Sequence, residues 1–111
     1  MTLPLAVLVD SGTSGPAEIF AAALSENKRA ELIGEHTIGR AGTQELIKLP
    51  DGSGLWITTA RYLGPDGKPI QGKGLEADVP VDQPDGDFGA AQTADPILQK
   101  ALDRLATKKA A

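Results

Sequence analysis

The sequence predicts one α/β unit, and three observations carry that prediction. An uninterrupted apolar run, Leu5 to Val9, is followed at once by a Gly/Ser/Thr turn and a helical pattern. Further on, two arms of strand-like composition flank Pro50-Asp51-Gly52-Ser53, and the last stretch carries apolar residues at helical spacing behind Asp95-Pro96. At 111 residues and 41% hydrophobic content, the chain has the size of one domain and an ordinary globular composition.

The elements follow in order. Leu5-Ala-Val-Leu-Val9, bounded by Pro4 and Asp10, reads as a strand buried on both faces, as in a parallel or mixed sheet. Ser11 to Gly15 is a turn, and Pro16 fits the first position of a helix whose core face would carry Ile19, Phe20, Ala23 and Leu24. Ala30 to Ile33 reads as a second strand, followed by a loop over Glu35 to Thr43. Gln44 to Leu49 and Gly54 to Ala60 form a hairpin, with Tyr62 and Leu63 extending its second arm into the turn Gly64-Pro-Asp-Gly67. Trp56 and Tyr62 would then be packing residues. A short strand is expected at Asp78-Val79 and a polar surface connection over 83–94. Asp95 and Pro96 suit the N-cap and first position of a final helix. Ile97, Leu98, Ala101, Leu102 and Leu105 should line its docking face, with Lys108 and Lys109 complementing its dipole. Residues 1–82 are thus expected to form a core segment and 95–111 the last helix of the same domain.

Composition narrows function. With no cysteine there is no disulfide, thiol nucleophile or Cys-based zinc site. A net charge of −4 with dispersed Lys and Arg lacks the basic footprint of a nucleic-acid binder. The apolar run at Leu5 to Val9 is far too short to span a bilayer. One His and scattered carboxylates suggest no metal site, and no cofactor motif is present. Gly72-Lys-Gly74 precedes no helical pattern and is not read as a phosphate loop.

Two stretches resemble the tail-specific, or C-terminal processing, serine peptidases. One runs from Val7-Leu-Val-Asp10 through Glu18-Ile-Phe-Ala-Ala-Ala23 to Ile38-Gly-Arg-Ala-Gly-Thr-Gln44. The other comprises Leu55, Thr58-Thr-Ala-Arg-Tyr62, Pro65-Asp-Gly67, Ile70-Gln-Gly-Lys-Gly-Leu-Glu76 and Asp78. The resemblance implies a crotonase/Clp-protease-like α/β core whose N-terminal part, which supplies part of the oxyanion hole, is missing from this chain. It also implies a serine endopeptidase acting on protein or peptide substrates, in an extracytoplasmic compartment, through a Ser/Lys dyad. Counting back three residues from Glu18 puts the nucleophile position on Gly15. Counting back four from Gln44 puts the general-base position on Arg40. Neither dyad residue is present.

The chemistry at those positions follows from residue type. A Ser or Thr at an N-cap with Glu three residues on makes a capping box, beside backbone N–H groups that favour developing negative charge. Gly15 brings no hydroxyl to that place. A neutral amine can deprotonate a serine, whereas arginine keeps its proton with a pKa above ~12. An impaired or inactive peptidase is therefore expected, with a non-catalytic peptide- or ligand-binding module as the alternative. A second alternative is an active variant using Ser14, one residue from the nucleophile position. Against it, Thr13 and Ser14 read as turn residues whose hydroxyls bond local backbone. His36 reads as a solvated loop histidine, although a Ser/His/Asp set with Asp10 can be drawn. Glu18 and Gln44 read as supporting residues. An unpaired strand edge should leave the chain prone to self-association or in want of another segment.

Overall fold

The computed structural model describes residues 3–83 and 95–110. Strand β1 (Ala6–Val9), helix α1 (Pro16–Glu26) and strand β2 (Glu31–Gly34) form a βαβ unit. The two strands pair in parallel, with Ala6 opposite Glu31 and Val9 opposite Gly34. Strands β3 (Gly42–Lys48) and β4 (Gly54–Arg61) form an antiparallel hairpin, followed by β5 (Val79–Pro80) and helix α2 (Pro96–Ala110). The sheet order is β1-β2-β5, and the hairpin is a separate two-stranded sheet.

Alternation along β2 divides the core. Leu32 packs with Val9 and Ala21 on the α1 side, while Ile33 packs with Ile97 and Ala101 on the α2 side. Helix, sheet and helix therefore form three thin layers. A third cluster of Ala22, Ala41 and Ile70 joins α1 to the loops beyond the sheet. Asp78 lies just outside β5, and its carboxylate accepts the Leu32 N–H at 2.8 Å, extending the ladder where β5 has only two residues. Helix α2 is tied to the start of β2 by Arg104 and Lys108, both on the Glu31 carboxylate. The polar connection expected over 83–94 lies outside the described residues beyond Gln83.

Four expectations need correction. First, β1 is not buried on both faces: Leu8 is 43% exposed, on the side where its neighbour Ile33 packs against α2. Second, the buried stripe of α1 is Glu18, Ala21 and Ala22, whereas Phe20 is 64% exposed. Small alanines let the helix approach the sheet, and the carboxylate at position 18 turns inward to meet backbone donors, rotating Phe20 outward. Third, among the described residues of α2 only Ile97 and Ala101 are buried, while Leu98 and Leu102 are about half exposed. Fourth, Trp56 and Tyr62 are not core packing residues. Every residue of β4 is exposed, since the hairpin has no layer against either face among the described residues. Trp56 packs only across its own ribbon, opposite Leu46, and donates its indole N–H to the Gln44 side chain.

Candidate active site

The turn between β1 and α1 is built by short-range polar contacts. Asp10 accepts the Gly12 N–H at 2.9 Å and the Thr13 hydroxyl at 3.1 Å, and the Asp10 N–H donates to Thr13 Oγ1 at 3.0 Å. Thr13 thus has the turn role expected of it. No hydrogen bond to the Ser14 hydroxyl is found among the described residues. Glu35 approaches the same turn and accepts the Ser11 N–H at 3.0 Å, a bond that holds its carboxyl below the usual carboxylate value.

Gly15 is the N-cap of α1, at φ 61 and ψ −131. That conformation is essentially reserved for glycine, and a residue with a Cβ would hold it only under strain. Its carbonyl accepts the Glu18 and Ile19 N–H groups at 3.0 and 3.3 Å, starting the helix. With no side chain at Gly15, only one half of a capping box exists: the Glu18 carboxylate accepting the Gly15 N–H at 3.2 Å. A Cβ built on Gly15 would meet only the Arg40 carbonyl oxygen, at 3.8 Å, an ordinary contact. The two positions to which the resemblance assigns nucleophile and base are therefore neighbours in space.

Glu18 holds them there. Its side chain is fully buried and accepts four hydrogen bonds. One oxygen takes the Thr37 hydroxyl at 2.5 Å and the Gly39 N–H at 2.6 Å. The other takes the Arg40 N–H at 2.8 Å together with the Gly15 N–H. No salt-bridge partner faces it among the described residues. Four donors and the N-terminal turn of α1 compensate the buried charge instead. A carboxylate is the acceptor-only side chain that can satisfy this many converging donors.

A second brace comes from residues 70–75. Thr37 Oγ1 accepts the Leu75 N–H at 2.8 Å, and the Thr37 N–H donates to the Leu75 carbonyl at 3.1 Å. Gly72 N–H reaches the Gly39 carbonyl at 2.8 Å. Gly74, at φ 73, lies so close to the Thr37 carbonyl that any Cβ there would collide with it. Gly72-Lys-Gly74 is thus a backbone buttress for the loop of Arg40. His36 is exposed, as expected, and its Nε2 lies 2.5 Å from the Lys73 carbonyl. Among the described residues no hydrogen bond joins it to Asp10 or Ser14.

Gln44 belongs to β3 and is turned to the hairpin face, accepting from Trp56 and donating to Thr58 Oγ1 at 3.5 Å. Beside Gly15 an open cavity of about 620 Å3 is lined by Pro16, Ile19, Phe20, Ala23, Ala41 and Tyr62, with Gly42 and Thr43 at its rim. Sequence reasoning missed this groove and the roles of Thr37 and Leu75. Periodicity assigned Phe20 to the core, and no local signal joins residues 38 positions apart.

The model of peptidase family S41 matches residues 1–81. The chain belongs to peptidase family S41. Among curated relatives of the family, the carboxyl-terminal-processing protease of Synechocystis sp. is 43% identical over 103 residues, covering 92% of this chain and 24% of that protein. Carboxyl-terminal-processing peptidase 2 of Arabidopsis thaliana chloroplasts is 47% identical over 78 residues, 70% of this chain and 15% of its own length. A solved photosystem II D1 C-terminal processing protease superposes with a TM-score of 0.65 at 43% identity, covering 71% of this chain and 20% of that one. This chain thus spans about a quarter or less of these relatives, and its α/β architecture is that of the C-terminal processing proteases. No helix among the described residues is long and apolar enough to cross a membrane, and no cluster of metal-ligating side chains occurs among them.

Proposed function

We propose that this chain retains the peptide-binding architecture of a C-terminal processing peptidase while its hydrolytic chemistry is impaired. The carrying observation is that Gly15 and Arg40 lie against one another, both pinned by Glu18, yet supply neither a hydroxyl nor a neutral amine. On this reading Gly15 occupies the nucleophile position and Arg40 the general-base position. Glu18 sets the spacing of the two loops, and Gln44 supports β3. A permanently charged guanidinium at position 40 cannot accept a proton from a serine, even one introduced at position 15.

The ligand class is a protein or peptide segment with apolar side chains. Ile19, Phe20, Ala23, Ala41 and Tyr62 offer an apolar wall next to Gly15, and a cavity of this size suits one or two such side chains. The wider partner set on this reading includes a polypeptide strand against the open side of β1.

Incubation with an unstructured protein substrate and a fluorophosphonate probe tests the chemistry. Neither cleavage nor labelling is expected. Labelling that disappears in Ser14→Ala would instead establish Ser14 as nucleophile, the second reading, which is favoured only by the unengaged Ser14 hydroxyl. Binding is tested separately with a fluorescent peptide ending in small apolar residues. Phe20→Asp should weaken it about tenfold, and wild-type protein that binds no peptide would refute the binding reading.

A further inference from the structure

We propose, resting on the peptide-binding reading, that Arg40 holds the free α-carboxylate of a polypeptide whose terminal apolar side chain lies in the groove beside Gly15. The ligand is then a chain end, and not an internal segment of a protein.

The cation is held at the site by its backbone alone. The Arg40 N–H donates to the Glu18 carboxylate at 2.8 Å. The Arg40 carbonyl oxygen lies 3.8 Å from the place of a Cβ on Gly15, and no other atom beyond the neighbours of Gly15 in the chain comes within 4 Å of that place. The Arg40 side chain is exposed, and no ion pair or hydrogen bond engages its guanidinium among the described residues. A permanently charged fork that matches a carboxylate in two parallel hydrogen bonds is thus tethered beside an empty side-chain position.

The surroundings leave that charge to complement a ligand. No residue lining the groove is charged. The nearby acids are already engaged. Glu18 is buried and uses both oxygens on four donors. Asp10 accepts from Gly12 and Thr13, and Glu35 from Ser11. Arg61, opposite Gly42, carries the same sign as Arg40. Next to the cation, Ile19, Phe20, Ala23 and Ala41 wall a space of about 620 Å3 that suits one or two apolar side chains. Thr43 and Tyr62 add hydroxyls at the groove, and no hydrogen bond engages either hydroxyl among the described residues. Those hydroxyls can meet the amides of a peptide, whereas the alkyl chain of a fatty acid would leave them unpaired.

Fluorescence anisotropy with one labelled peptide ending in leucine, made as the free acid and as the C-terminal amide, tests the assignment. The acid should bind about tenfold more tightly than the amide, and high salt should narrow that difference. Arg40→Gln should bring the acid down to the affinity of the amide. Its melting temperature should match wild type, because Glu18 meets only the Arg40 backbone. Phe20→Ala should weaken acid and amide alike and keep the difference between them. Equal binding of acid and amide by wild type overturns the role of Arg40 while leaving the peptide-binding reading in place; no binding of either peptide overturns both. A difference that survives Arg40→Gln but is lost in Arg61→Gln moves the carboxylate to the other arginine and also overturns the assignment. So does decanoate displacing the peptide at concentrations where an unlabelled copy of the acid does not, which would make the ligand a fatty acid.

Discussion

The loop cluster around Glu18 and the β3–β4 hairpin are both assemblies of backbone segments held by polar contacts, but they occupy opposite environments. Around Glu18, four donors from two segments, Gly15 and residues 37–40, converge on one buried carboxylate, which would lose all four acceptor contacts together. Along the hairpin, Leu46, Trp56, Ile47 and Leu55 meet across the ribbon in cross-strand pairs, yet both faces remain exposed. A two-stranded ribbon gains little by itself in water. Hydrogen bonds of similar length therefore matter very differently. Their worth depends on what replaces them when they break.

The largest expected effect follows directly. Glu18→Ala leaves the Gly15, Gly39 and Arg40 N–H groups and the Thr37 hydroxyl without their acceptor, and should cost about 4 kcal/mol or more, a large part of a small domain's stability. Glu18→Gln should cost nearly as much, because its NH2 group would face donors. Trp56→Ala should cost less than about 1 kcal/mol, with urea midpoints followed by circular dichroism as the measure. A Trp56→Ala loss equal to that of Glu18→Ala would mean that the hairpin is covered in solution.

Core deletion sharpens the contrast next. Ile33 is fully buried between the sheet and α2, so Ile33→Ala should lose about 3 kcal/mol. Ile57→Ala, at a position 40% exposed on β4, should lose under about 1 kcal/mol in the same titration. Parity between the two would show that the layers are not the stabilising unit.

Gly15 tests conformation apart from space. Gly15→Ser fits sterically, since its Cβ would meet only the Arg40 carbonyl at 3.8 Å, but must adopt φ near 61. A loss of about 1–3 kcal/mol is expected. A stability unchanged from wild type would indicate that the turn relaxes, and with it the separation of the two site positions.

The smallest effect concerns α2. The Arg104 guanidinium on Glu31 is the main cause holding the Glu31 carboxyl below its ordinary value of 4.5, with Lys108 adding to it. A folded-state value that is lowered contributes stability above the unfolded value and loses it as pH falls through the folded one. Arg104→Ala should therefore lower stability only slightly at pH 7, because the pair is partly exposed. The gap to wild type should close in acid well below pH 4.5, as thermal melts at the two pH values would show. A gap that persists in acid would assign the loss to packing of the arginine stem.

The sequence by itself determined every local element, because each depends on signals within a few residues. The apolar run ending at Asp10, Pro16 at a helix start, the Pro-Asp-Gly-Ser turn and Asp95-Pro96 at a second helix all specify backbone near their own positions. The family resemblance counts two positions, Gly15 and Arg40, back from Glu18 and Gln44, and the structure sets the backbones of those two residues side by side. What only the tertiary structure decided was which faces are covered. Apolar spacing marked Phe20, Leu98 and Leu102, and strand position marked Trp56, as suited to burial, but burial needs a facing layer: the sheet reaches Ala21, Ile97 and Ala101, and the loops beyond it reach Ala22. The same holds for Glu18. Its spacing marked it as a supporting residue at the helix start, and only the convergence of donors from residues 15, 37, 39 and 40 makes the interior its place.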